Sequence, residues 1–171
     1  LPILLSVRGQ GTFKGADAIW VNEGTVLLAT GLRTNEAGAA QVAWVLRQMG
    51  VEVVPVDLPH GVLHLLGVVN LAGPQLAVAW PGRVPHRAVE LLRSLGYRVI
   101  FLPDEDEAVH GMALNFVPLQ PYRILMPAGC PRTRALYEAE GVLCQELDIA
   151  QLRHAAGGMG CLSGILRRGR I

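Results

Sequence analysis

Three glycines punctuate this chain at nearly equal intervals. Gly50, Gly96 and Gly141 each close a helix-like segment and precede an apolar run, at spacings of 46 and 45 residues. Helices commonly stop at a glycine in the left-handed conformation. A recurring stop of this kind marks a repeated supersecondary unit, which buries its apolar face only against its neighbours.

The first unit reads as strands Ala16–Val21 and Thr25–Ala29 joined by Asn22-Glu23-Gly24. A helix follows from about Asn35 to Met49, capped by Thr34 or Asn35, and Val51–Asp57 closes the unit. The second has strands His64–Leu71 and Gln75–Trp80, a helix from Pro85 to Gly96, and Tyr97–Leu102. The third has Met112–Leu119, Arg123–Met126, a helix from Pro131 to Glu140, and Val142–Leu147. Fragments flank them: Pro2–Val7 as a lone strand, and Ile149–Ala156 as a short helix leading to a strand that begins at Cys161. The expected fold is α/β, with ββαβ units in a propeller-like array. Residues 1–171 make one domain of three complete units plus partial ones.

Composition narrows the function. Hydrophobic residues make up 51% and charged residues 17%, which excludes a disordered chain. A net charge of +1 offers no electrostatic case for nucleic acid or an anionic membrane surface. No apolar run has the length of a membrane span, and Arg8 follows the apolar start too closely for a signal peptide. Cys130, Cys144 and Cys161 are odd in number and lack CxxC spacing, so neither a zinc set nor a disulfide framework follows, and a reducing cytoplasm is expected. Neither GxGxxG nor a Walker motif is present, and no cofactor or metal is implied. The run Asp104-Glu105-Asp106-Glu107 lacks the spacing of a calcium loop and reads as a solvated acidic loop.

Four residues stand out for chemistry. Cys161 lies among Gly157, Gly158, Gly160 and Gly164, a platform that lets a substrate or backbone approach closely, although a lone cysteine is more often a core residue. His64 sits in the apolar run Val62–Leu66, where a histidine is ordinarily a satisfied core residue. Equivalent positions of a repeat ring converge on its axis, and a thiol needs a base or cation nearby to act as a nucleophile. Arg33 stands just before the first helix, either as part of a capping segment or as a bidentate clamp for a carboxylate. Asp17 opens the first strand, either as a strand-start residue or as an acid that grips a guanidinium or orients the histidine.

Laid out together, these residues resemble the guanidine-modifying, or pentein, superfamily, most of all the dimethylarginine dimethylaminohydrolases. The motifs are Gly15-Ala16-Asp17, Leu32–Ala39, His64-Leu65, Asn70–Leu76, Leu114-Asn115 and Gly157–Ser163, in that order over essentially the whole chain. The resemblance implies a five-unit ββαβ propeller with its active site on the axis. It implies that Cys161 attacks the guanidinium carbon, giving a covalent thiouronium, that His64 serves as acid and then base, and that Arg33 holds the substrate's carboxylate.

Three departures qualify what carries over. The family's carboxylate in its E/D-G-x-D motif is Lys14 here, and a cation about 4 Å from a guanidinium is repelled by roughly 4 kcal/mol at an effective dielectric of 20. Leu66 stands where arginine deiminases place an aspartate, which leans away from free arginine as substrate. Five units need roughly 225 residues, so N-terminal units of the ring are missing from 171. Open edges leave room for a second copy or a complementing N-terminal segment. Three readings stay open: a hydrolase of the C–N bond of a guanidino compound, an amidinotransferase using the same intermediate, and a non-catalytic scaffold.

Overall fold

The computed structural model describes residues 3–155 and 157–165. Three small sheets follow one another, each built to the same plan. In the first, β1 (Ala18–Asn22) runs antiparallel to β2 (Thr25–Thr30), and β2 runs parallel to β3 (Glu52–Asp57) after the helix α1 (Glu36–Gln48). The second sheet comprises β4 (Val69–Gly73), β5 (Leu76–Ala79) and β6 (Arg98–Phe101) with α2 (His86–Ser94). The third comprises β7 (Val117–Gln120), β8 (Arg123–Pro127) and β9 (Leu143–Leu147) with α4 (Pro131–Ala139). Two short helices, α3 (Glu105–Val109) and α5 (Ala150–His154), lie after the second and third units.

The glycine punctuation acts as its spacing suggests. Gly50, Gly96 and Gly141 have φ of 78°, 82° and 80°. Their N–H groups donate to Arg47, Arg93 and Glu138, while the next residue's N–H reaches back to Leu46, Leu92 and Tyr137. This paired bonding satisfies carbonyls left over at a helix end and aims the chain into the parallel strand. Each hairpin also breaks register at the same place, between Trp20/Asn22, Leu71/Gly73 and Pro118/Gln120. The repeat therefore extends to individual residues.

Adjacent units bury one another. Leu27, Ala29 and Val56 of the first pack with Leu65, Val69 and Ala77 of the second. Val78 and Ile100 of the second pack with Phe116, Ile124, Met126 and Tyr137 of the third. Phe116 meets Tyr137 edge-on, with ring centroids 5.6 Å apart.

The flanks and boundaries differ from expectation. Ile3–Val7 forms no strand, and Pro2 lies outside the described residues, as do Ala156 and residues 166–171. The third unit's first strand is only Val117–Gln120, because residues 112–116 turn before it. The acidic run is not a solvated loop. Asp104 caps α3 by accepting Glu107 N–H (3.0 Å) and pairs with Arg132 (2.8 Å). Glu107 is buried, and its carboxylate accepts the Arg132 and Thr133 N–H groups (2.9 and 2.7 Å) at the start of α4. Free amides at a helix N-terminus favour such an anion. The partners lie 25 and 26 residues away, beyond the reach of local spacing. Among the described residues no helix is long and apolar enough to cross a membrane, and no group of three or more His, Cys, Asp or Glu side chains is placed to hold a metal.

The segment before the first unit is strapped to α1. Asn35 caps α1 through Gly38 N–H (2.8 Å), accepts Thr12 N–H (3.0 Å) and donates to Gln10 O (2.8 Å). The approach is so close that a Cβ on Gly38 would stand 1.9 Å from Thr12 O. Helix propensity alone favours alanine over glycine by up to about 1 kcal/mol. The clash outweighs it, because neither backbone can give. Gly38→Ala should lower unfolding stability by about 2–3 kcal/mol in urea titration, the cost of overpacking a tight site. Unchanged or raised stability would contradict this packing.

Candidate active site

The first strand of each unit is preceded by a tight turn. Asp17 N–H donates to Lys14 O (2.9 Å), Gly67 N–H to His64 O (3.1 Å) and Asn115 N–H to Met112 O (2.8 Å). A fourth turn, closed from Ser163 N–H to Gly160 O (3.2 Å), contains Cys161. Lys14, His64 and Met112 thus head equivalent turns. None of Asp17, His64 and Cys161 begins a strand, contrary to the sequence reading. A continuous apolar run such as Val62–Val69 looks like a buried strand, and periodicity alone does not separate it from a turn followed by a shorter strand.

Asp17 is also placed differently from expectation. It is 0% exposed, so it has no surface to offer a substrate. One carboxylate oxygen accepts Leu65 N–H (2.9 Å), the other the Thr34 hydroxyl (2.6 Å). Thr34 Oγ1 in turn accepts Lys14 N–H (3.1 Å), while Asn35, not Thr34, caps α1. Asp17 therefore ties the first turn, the Arg33 loop and the second turn together.

His64 is 4% exposed and accepts Gly67 N–H at Nδ1 (3.1 Å). The neutral ring then carries its proton on Nε2. Burial is the main cause that lowers its pKa below 6.5; Asp17 pulls it up, and Lys14 and Arg33 push it down. The lowered pKa favours the neutral ring near pH 7.

A cavity of about 280 Å³ opens beside this ring, lined by His64, Gly67, Trp80, Arg83, Met112 and Asn115 among others. The Arg83 guanidinium lies over the Trp80 ring, 5.5 Å from its centroid. Arg83 occupies the same place in its unit as Arg33, three residues before the helix begins. Arg33 is not among the cavity's lining residues, although its charge reaches His64. Arg83, Trp80 and Asn115 escaped the sequence reading as site residues. Superposing the repeats would have singled out Arg83.

Cys161 is half-buried and its turn wraps Asn115. Cys161 N–H donates to Asn115 Oδ1 (2.9 Å) and Gly160 N–H to Asn115 O (3.1 Å). Gly158 N–H points at the sulfur (3.3 Å). A Cβ on Gly158 would lie 2.6 Å from Asn115 Cγ, which explains the glycines here. The other two thiols are held protonated: burial foremost pushes Cys130 and Cys144 each up to about 11. Asn115 thus belongs both to the wall of the His64 cavity and to the turn that carries Cys161. The arrangement provides a thiol and an imidazole on turns that both adjoin the Asn115 turn, with cations and no exposed carboxylate among Lys14, Asp17, Arg33 and Arg83.

No family model matches the chain. It is 32% identical over 157 residues to a dimethylarginine dimethylaminohydrolase of Streptomyces coelicolor, covering 92% of this chain and 55% of that protein. The Pseudomonas aeruginosa dimethylarginine dimethylaminohydrolase, solved with citrulline, superposes with a TM-score of 0.74 at 26% identity, over 91% of this chain and 56% of that one. The inosamine-phosphate amidinotransferase of Streptomyces griseus superposes with a TM-score of 0.78 at 19% identity, a likeness of fold, over 96% and 49%. The chain spans about half the length of the curated relatives it matches. It has the pentein fold of the guanidine-modifying enzymes and is similar, in sequence as in structure, to the dimethylarginine dimethylaminohydrolases.

Proposed function

We propose that this chain carries the cysteine half of a pentein active site that cleaves a C–N bond of a guanidino compound, of dimethylarginine type. The observation that supports this most is Asn115, which joins the Cys161 turn to the His64 cavity. In this reading His64 takes the thiol proton while Cys161 sulfur adds to the guanidinium carbon. His64 passes the proton to the departing amine, leaving a thiouronium on the sulfur. It then takes a proton from water as hydroxide adds, and returns it to sulfur as the urea product leaves. Protonating Nδ1 requires the Gly67 contact to open. Arg33, with Arg83 on the cavity wall, supplies cations for an acidic end of the substrate.

The reading must also accommodate the positive charge of the guanidinium. Asp17 is buried and doubly bonded, and Lys14 has the wrong sign. The guanidinium-binding carboxylates are therefore assigned to polypeptide outside this chain, an N-terminal segment or a second copy that completes the ring. Residues 1–171 act as one pentein-type domain, and three unpaired cysteines suit a reducing cytoplasm. Transfer to an acceptor amine in place of water uses the same intermediate, and product analysis with and without the amine separates the two.

Intact-mass labelling with 2-chloroacetamidine near pH 7 tests the thiol. Cys161 should label at least about tenfold faster than Cys144 or Cys130, whose thiolate fractions are small, and His64→Ala should slow Cys161 selectively. Equal labelling of the three sulfurs would favour the non-catalytic scaffold.

His64 also makes a prediction about stability. Its folded pKa lies below 6.5, so as pH falls the unfolded chain takes up the proton first. Stability from this group is undiminished above about 6.5 and is lost as pH falls towards the folded value. His64→Gln should flatten the fall in urea midpoint between about pH 7 and pH 5.5, and Lys14→Glu should shrink it by removing a cation that lowers the pKa. A wild-type midpoint that rises on acidification, with no change in either variant, would contradict the neutral ring.

A further inference from the structure

We propose that Asn115 is the positioning residue of the thiol site and that Asn70, on β4, holds it in place. The proposal rests on the reading of Cys161 as nucleophile. Both asparagines are 5% exposed, and their hydrogen bonds form a directional chain from β4 to the Cys161 turn. Asn70 Nδ2 donates to Leu114 O (2.9 Å) and Phe116 O (3.1 Å), the carbonyls on either side of Asn115, while its Oδ1 accepts Leu71 N–H (2.8 Å). The backbone of Asn115 is thereby fixed from both sides by a side chain of the neighbouring unit. Asn115 commits its own N–H to Met112, its carbonyl to Gly160 and its Oδ1 to Cys161 N–H.

Among the described residues no hydrogen bond joins His64 to Cys161 directly. What links the Cys161 turn to the histidine's cavity is Asn115, whose side chain accepts the Cys161 N–H and which lines that cavity. Gly158 and Gly160 leave the turn free to close on the amide, since a Cβ at either would meet Asn115 or Phe116 within 2.9 Å. An apolar side chain at 115 would leave the Cys161 N–H unpaired and release the turn. Asparagine is suited to this place because a carboxylate there would put a charge beside the thiol.

The test compares wild type, Asn115→Ala and Asn115→Asp, with Cys144 as internal reference and circular dichroism to confirm the fold. The readout is the ratio of 2-chloroacetamidine to iodoacetamide labelling rates at Cys161, which reports directed attack more than exposure, and its pH profile. Asn115→Ala should lower that ratio about tenfold, the effect of one lost aligning bond. Asn115→Asp keeps the acceptor, so selectivity for Cys161 should persist while the profile moves to higher pH. It also carries the test if the alanine chain does not fold. A wild-type ratio in Asn115→Ala, or an unmoved profile in Asn115→Asp, would overturn the positioning role alone. A wild-type chain that labels Cys161 no faster than Cys144 would overturn the nucleophile reading and this proposal with it.

Discussion

A single buried carboxylate joins the first unit to the second. Asp17 accepts Leu65 N–H across the unit boundary and the Thr34 hydroxyl within its own unit, with no exposed surface. Hydrogen bonds to an ionised group contribute about 1.5–3 kcal/mol each, so the pair rivals the burial of a large apolar side chain. Leu65 follows His64, and Thr34 follows Arg33, so the same atoms that hold the units together set the spacing of the candidate site residues. A carboxylate committed in this way belongs to the structure beneath the site. It does not belong to the surface that meets a ligand.

The polarity of the site follows from that commitment. Asp17, though satisfied internally, still favours the imidazolium of His64, while Lys14 and Arg33 disfavour it. Burial is the strongest influence and lowers the pKa on balance. The turn heads of this chain therefore present donors and cations, well matched to an acidic substrate end and to a developing thiolate. On the proposed function, a guanidinium would have to find its acids elsewhere. That division fits a chain covering about half the length of its relatives.

Much of the fold was legible because its signals are local. The glycine stops, the asparagine cap at 35 and the β-branched closing strands each arise from short-range chemistry, and the period made them add up. What stayed hidden depends on distant partners. Glu107 looked solvated because its amide donors sit at the start of α4. Asp17 looked available because its partners lie 17 and 48 residues away. Turns led by His64 and Met112 read as strands because apolar runs hide a three-residue bend. Asn115 was visible only as part of a motif, since nothing in Leu114-Asn115 reveals that its side chain receives the Cys161 amide.

A guanidine-cleaving site in this chain requires that His64 and Cys161 lie together. A nitroxide attached to Cys161 in a Cys130→Ala, Cys144→Ser background, with nuclear magnetic resonance of the five imidazole rings, measures this directly. Convergence of the turn heads predicts that the His64 ring signal broadens strongly while that of His86, on the exposed face of α2, stays sharp. A sharp His64 signal beside a labelled Cys161 would place the two residues apart and contradict the account.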